Sequence, residues 1–147
     1  MLPRPQRPGG PPILIGGNGP KLVLSMAARY GNEWNGIYRS PAQFKELSER
    51  LDELLIENGR EPGDVGRSQM KGLVFGRDEA ELRRNLDGRD AEALLAWGMI
   101  VGTPSEVVDQ LAQLAGVGMQ QVMFQWSDLD DLDGLEAFAE TVLPQMK

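Results

Sequence analysis

The segment Ile13-Leu14-Ile15-Gly16-Gly17-Asn18-Gly19-Pro20 decides the fold, because in it a short apolar run leads directly into a glycine-rich turn. An apolar run bounded by turn residues indicates a strand that is buried on both faces. The residues that follow, from Lys21 to about Tyr30, place apolar side chains at helical spacing. The segment therefore predicts a strand, a turn and a helix in that order.

The same order recurs along the rest of the chain. Further strands are predicted at residues 33–37, 69–75 and 121–125. Further helices are predicted at residues 40–59, 78–86, 91–97, 103–115 and 135–142. Strands that alternate with helices, without hairpin turns, indicate a parallel sheet. Since a closed eight-stranded βα barrel takes about 250 residues, the 147 residues predict an α/β fold with about four parallel strands, half of a (β/α)8 TIM barrel.

The domain boundaries follow from proline and capping signals. Residues 2–12 hold five prolines and two glycines, so residues 1–12 are predicted to form an extended lead-in and residues 13–147 the half-barrel domain. Ser40-Pro41 has the residue types preferred at a helix N-cap and first helical position. Thr103-Pro104-Ser105-Glu106 is a capping box that opens another helix.

Composition excludes several classes of function. The net charge is −7 and no Lys/Arg cluster occurs, which argues against nucleic acid and anionic membranes as partners. No apolar run is long enough to span a bilayer. The absence of cysteine predicts no disulfides and fits a cytoplasmic location, and the absence of histidine removes imidazole-based catalysis and imidazole metal sites.

The turn Gly16-Gly17-Asn18-Gly19 is the best candidate for a binding site. Glycines allow a ligand to approach the backbone closely, and the free N–H groups at the start of the next helix favour a phosphate. Lys21 adds a positive charge. The turn has neither the dinucleotide-binding pattern nor the P-loop pattern, and a purely structural glycine turn is an equally plausible interpretation.

Four stretches resemble the luciferase-like monooxygenase family, and in particular its deazaflavin-dependent (coenzyme F-420) branch. They are RPGGPPILIGGNGPKLVLSMAARYGNEWN (residues 7–35), FKELSERLDELLIENGREPGDVGRS (44–68), IVGTPSEVVDQLAQLAGVGMQQVMFQW (100–126) and LEAFAETVLPQM (135–146). The resemblance implies the C-terminal half of the barrel, in which Gly16, Gly17 and Gly19 contact the cofactor phosphate through backbone N–H groups. It also implies that the family's N-terminal half, with the usual catalytic groups, lies outside these residues.

The resemblance further implies an oxidoreductase whose cofactor is a deazaflavin (coenzyme F-420) or, alternatively, FMN. Its partners are then a flavin-type cofactor, a small-molecule substrate, and either a second copy or the missing N-terminal half. One departure concerns the turn before Trp34, where the family commonly has Asp-Gly and this chain has Asn32-Glu33. The alternative function is a non-catalytic half-barrel that binds a partner or associates with itself, because open strand edges favour association.

Two further residues are candidates for substrate binding. Trp34 lies near a predicted strand end, but a core tryptophan with its N–H bonded locally is the alternative. Arg39 has the charge to bind an anionic substrate, but a solvated loop arginine is the alternative. The Asp-rich segment 128–133 lacks the pattern of a calcium loop and is predicted to cap the last helix. No metal site and no catalytic residue is predicted.

Overall fold

The computed structural model describes residues 7–146. Its strands are β1 (Leu14–Gly16), β2 (Glu33–Ile37), β3 (Gly66–Phe75), β4 (Ile100–Gly102) and β5 (Gln121–Gln125). Its helices are α1 (Val23–Tyr30), α2 (Pro41–Glu57), α3 (Glu79–Leu86), α4 (Ala91–Ala96), α5 (Pro104–Ala115) and α6 (Leu132–Thr141). The first six residues of the predicted lead-in lie outside the described part of the chain.

All strand pairs are parallel, and β1, β2, β3 and β5 lie side by side in that order. Because Ser68–Met70 pair with β2 and also with β5, these two strands lie on opposite sides of β3. The short strand β4 pairs only with the last three residues of β3, beyond the ends of both neighbours. The prediction of about four parallel strands with helices is confirmed.

One strand was not predicted. Residues Ile100–Gly102 form β4, but three residues are too few to show an alternating pattern, and they lie between two helices in the sequence. The third predicted strand also begins earlier than expected, at Gly66 rather than Gln69. The two predicted helix starts are correct. Ser40 accepts a hydrogen bond from the Gln43 N–H, and the Glu106 carboxylate accepts one from the Thr103 N–H.

The main core lies on one side of the sheet, between the strands and helices α1, α2, α5 and α6. Trp34 of β2 is completely buried there, and we call this side the outer face. Pairing register places Gly16, Asn35, Ser68 and Gln121 in one row across the opposite side, the inner face. Side chains of successive strand residues point to opposite faces, so this register decides which residues are available at the strand ends.

A second, smaller cluster forms where α3 and α4 pack against the carboxyl ends of β3 and β4. Val74, Leu82 and Val101 are its buried members. These two helices therefore cover part of the sheet end at which βα barrels bind their ligands. No helix within residues 7–146 is long and apolar enough to cross a membrane.

Candidate functional site at the carboxyl ends of the strands

The glycine turn directly follows β1 and leads into α1, as predicted. Gly17 has φ of 123°, a backbone conformation that residues other than glycine rarely adopt. A Cβ atom at Gly16 would meet no atom within 4 Å, whereas one at Gly19 would lie 3.2 Å from the side chain of Val23. Space above the backbone is therefore open at Gly16 and restricted at Gly19.

The three glycine N–H groups do not all point at one place, contrary to what the resemblance implies. The Gly17 N–H donates to the Asn35 carbonyl at 2.9 Å, so it belongs to the sheet. Since successive N–H groups alternate in a strand, the Gly16 N–H points to the open edge of β1. Among the hydrogen bonds formed within residues 7–146, none uses the N–H of Asn18, Gly19 or Lys21. Beyond the end of β1, the free donors of the turn are therefore the N–H groups of Asn18 and Gly19, and the Lys21 N–H follows them.

The Asn18 side chain fixes the turn to the end of β2. Its Nδ2 donates to the Ile37 carbonyl at 2.8 Å, and its Oδ1 accepts from the Ile37 N–H at 2.9 Å. The amide group thus replaces a strand residue in the ladder. This leaves the backbone N–H of Asn18, and not its side chain, available to a ligand.

Lys21 is exposed at the start of α1. It lines a surface groove together with Glu46, Glu49 and Glu53 of α2. These carboxylates attract the Lys21 ammonium and so compete with a phosphate for it. Because exposed charges interact weakly in water, this competition is weak.

Trp34 is completely buried on the outer face. Its ring stacks on Phe44 with centroids 5.1 Å apart, and its Nε1–H donates to the Gly17 carbonyl at 2.8 Å. The observed environment is that of a core tryptophan with a locally bonded N–H, in which protein atoms cover the ring. Trp34 nevertheless supports the glycine turn from below.

Arg39 lies between β2 and α2, and its carbonyl accepts a hydrogen bond from Lys71 Nζ at 2.9 Å. Its Nε is buried and has no hydrogen-bond partner in the described part of the chain. A substrate contact by the guanidinium remains a prediction.

Lys71 was missed, although a lysine inside the otherwise apolar end of β3 was a visible signal. Its Nζ donates to the carbonyls of Arg39 and Gly98, at 2.9 and 2.7 Å. The side chain is only 2% exposed. Burial lowers the pKa of this ammonium from 10.5 to about 8, because the charged form loses its hydration.

A cavity of about 400 Å³ lies at the carboxyl ends of β3 and β5. Trp126, Ser127 and Asp128 line one side of it, and Arg84 and Asn85 line another. The end of the strand predicted at residues 121–125 therefore borders a cavity.

The Asp-rich segment caps the last helix, as predicted. Asp131 is the N-cap of α6 and accepts a hydrogen bond from the Gly134 N–H at 2.9 Å. Within residues 7–146, no group of three or more acidic side chains is arranged to hold a metal ion.

Comparison with known proteins decides the family. The family model described as luciferase-like monooxygenase matches residues 1–100 of the chain, which is more than half of it. The chain belongs to the luciferase-like monooxygenase family. The sequence resemblance is thereby confirmed at the level of the family.

Solved structures of a coenzyme F420-dependent reductase and of monooxygenases share the fold of this chain. Coenzyme F420-dependent tetrahydromethanopterin reductase from Methanopyrus kandleri is 20% identical, with a TM-score of 0.73 over 92% of this chain and 51% of that one. EDTA monooxygenase from Chelativorans is 16% identical, with a TM-score of 0.75 over 94% of this chain and 47% of that one.

A third similar structure contains FMN. It is the oxygenating constituent of 3,6-diketocamphane monooxygenase from Pseudomonas putida, 17% identical, with a TM-score of 0.72 over 92% of this chain and 49% of that one. The luciferase-like chain thus spans about half the length of these structures, and at such identities the likeness shows the fold alone. No curated protein matches the sequence significantly.

Proposed function

We propose that this luciferase-like chain forms the part of an oxidoreductase that binds the phosphate of a flavin-type cofactor. A bound cofactor of this class supplies hydride-transfer chemistry, and the protein positions it. In this proposal the backbone N–H groups of Asn18 and Gly19 bind the phosphate, the open face of Gly16 lets the ligand approach, and Lys21 adds charge. The groups that complete hydride transfer lie outside residues 1–147.

The observation that supports this proposal most is the set of free N–H donors in the glycine turn. They precede α1, and a helix N-terminus favours an anion through its unpaired N–H groups and its dipole. The Asn18 side chain and Trp34 hold the turn in place from two sides, at 2.8 to 2.9 Å. The donors are therefore positioned before any ligand arrives, which lowers the entropic cost of binding.

The cofactor is coenzyme F-420 or FMN in this proposal. One of the similar structures is named as a coenzyme F420-dependent enzyme, and another contains FMN. The deazaflavin is favoured by the likeness of the sequence to the F-420 branch. The phosphate site itself serves both cofactors, because both carry a phosphate on the side chain of the ring.

Binding of FMN and of riboflavin, which lacks the phosphate, tests the site. Fluorescence quenching of each flavin is titrated with the full 147-residue chain, and F-420 is titrated in the same way. FMN is expected to bind at least about tenfold more tightly than riboflavin, because one hydrogen bond to a charged group contributes about 1.5–3 kcal/mol.

Gly16→Ala is the matched variant. The added methyl group meets no protein atom within 4 Å, so folding is retained while the approach to the turn is narrowed. Gly63→Ala adds a methyl group in equally open space far from the turn and is the control. Equal affinity for FMN and riboflavin, or equal FMN binding by both variants, contradicts the proposal.

A second candidate function is self-association of half-barrels without catalysis. Within residues 7–146, β1 pairs only with β2 and β5 only with β3, so one edge of each is open. Leu22, Met26 and Tyr30 are exposed on or beside α1, and Leu132 and Leu135 on α6. Residues 21–30 carry two positive charges and no negative one, whereas 132–141 carry three negative charges and no positive one. The segment of residues 21–30, next to the open edge of β1, thus complements the segment of residues 132–141 in charge. We call these segments the two ends.

Sedimentation velocity at several concentrations tests this candidate. A dimer is expected, and the double variant Lys21→Glu/Arg29→Glu is expected to weaken it, since like charges across an interface are unfavourable. Mixing that variant with Glu136→Lys/Glu140→Lys restores association if the two ends meet. A wild-type chain that stays monomeric contradicts it.

A further inference from the structure

Tyr38 and Trp97 form a stacked aromatic pair at the carboxyl ends of the strands. Their ring centroids are 5.0 Å apart and the rings are inclined by 23°. The Tyr38 hydroxyl bonds to the side chain of Gln125, the last residue of β5. The Tyr38 ring therefore reaches from the end of β2 across β3 to β5, on the inner face of the sheet.

The local backbone is adapted to this pair. Tyr38 has φ of 49°, which is uncommon for a bulky residue and costs energy. Gly98 has φ of 96°, and a Cβ atom there would lie 2.6 Å from the Tyr38 carbonyl oxygen. A Cβ atom at Gly72 would lie 3.1 Å from the Tyr38 hydroxyl oxygen. Two glycines and one strained residue thus make room for the pair.

Lys71 holds the pair from the outer face. Its two carbonyl acceptors belong to Arg39 and Gly98, the residues that directly follow Tyr38 and Trp97 in the sequence. One buried ammonium therefore fixes the chain beside both aromatic residues. This arrangement keeps the rings in place without covering them.

The Trp97 ring is held firmly but remains open on one side. Its side chain is 66% exposed, whereas Trp34 is completely buried and Trp126 is partly buried. Rigid aromatic side chains provide large contact areas at low entropic cost, and aromatic rings attract other rings by stacking. The exposed face of Trp97 is therefore suited to a flat ligand.

We propose that the Tyr38–Trp97 pair is the stacking site for a planar conjugated ring of the substrate. The Asn18 side chain binds Ile37, the residue before Tyr38, so the backbone that carries Tyr38 is joined directly to the glycine turn. Assigning the ring to a substrate rests on the function proposed above, while the stacking itself does not require phosphate binding. The substrate class is accordingly aromatic or otherwise flat and conjugated.

Binding of 2-naphthol, compared with its saturated counterpart decahydro-2-naphthol, tests the stacking site on the full chain. The line widths of each compound's own proton NMR signals are followed during each titration, so that the wild type and all variants are measured in the same way. The flat ring is expected to bind at least tenfold more tightly than the saturated one. Trp97→Leu is expected to remove this difference, and Trp97→Phe is expected to retain part of it.

Tyr30→Leu is the matched control, because it replaces another exposed aromatic ring, on α1. Circular dichroism verifies that each variant is folded. Equal binding of 2-naphthol by wild type and Trp97→Leu, equal binding of the flat and saturated compounds, or no binding of either overturns the proposal. Gly16→Ala separates the two sites, since it is expected to weaken FMN and leave 2-naphthol unchanged. If the proposed phosphate site is wrong, FMN and riboflavin bind with equal affinity. If the proposed stacking site is wrong, Trp97→Leu binds 2-naphthol as tightly as the wild type does.

Discussion

The two faces of the sheet differ in how complete they are. On the outer face, Trp34, Phe44, Leu55 and Val107 are completely buried in one cluster that extends across four helices. On the inner face, a chain of hydrogen bonds joins polar side chains. Asn35 Nδ2 donates to the Ser68 hydroxyl at 2.8 Å, and that hydroxyl donates to the Glu33 carboxylate.

This difference means that the main core and the candidate sites lie on different faces of the sheet. The outer face gains its stability from the burial of apolar side chains within this chain. The inner face and the strand ends carry the glycine turn, the Tyr38–Trp97 pair and the open strand edges. The features on which the proposals depend therefore lie on the inner face and at the strand ends, away from the main core.

The difference between the two faces is tested by truncating one apolar side chain on each and comparing the losses in unfolding free energy. This test has the largest expected effect. Phe44→Ala removes a completely buried ring from the outer core, and we expect it to cost about 3–5 kcal/mol. Met70→Ala removes a partly buried side chain from the inner face and is expected to cost about 1 kcal/mol. Urea unfolding measures both. Equal costs would show that the inner face is as well packed as the outer one.

Sequence reasoning recovered the outer face better than the strand ends, because the signals of the outer face are local. Ser40-Pro41 and Thr103 to Glu106 mark helix starts within four residues. The engagement of the Gly17 N–H depends on the register between β1 and β2, which no local pattern specifies. Tyr38 and Trp97 are distant in the sequence and meet only through the tertiary fold, so their pairing had no signal.

Lys71 and Gln69 are, together with Arg67, the buried polar side chains on the outer face, and Lys71 predicts a dependence of stability on pH. The pKa of Lys71 is about 8 in the folded chain and near 10.5 in the unfolded one. Between these values the unfolded chain binds more protons, so this group makes the folded state more stable as the pH rises. The full gain is about 3 kcal/mol, from about 1.4 kcal/mol per pKa unit.

Comparison with Lys71→Met isolates this contribution, because other groups titrate equally in both proteins. The variant leaves two carbonyls without their donor, so it is expected to be less stable than the wild type at every pH. The wild type minus variant difference in unfolding free energy is expected to increase from pH 8 to pH 10.5. A difference that stays constant over this range would mean that Lys71 titrates normally.

Gln69 is another of these buried polar side chains. Its substitution is expected to change the unfolding free energy least, and to stabilise the fold, whereas the substitutions above destabilise it. It is completely buried, and neither its Nε2 nor its Oε1 has a hydrogen-bond partner within residues 7–146. A buried polar group without a partner costs about 1–3 kcal/mol, so Gln69→Met, which keeps the length of the side chain, is expected to stabilise the fold by about 1 kcal/mol. Gln121→Met on the exposed inner face is the control and is expected to have no effect. If Gln69→Met lowers the urea midpoint instead, the amide has a partner such as a buried water, and the outer face tolerates polar groups because it hydrates them.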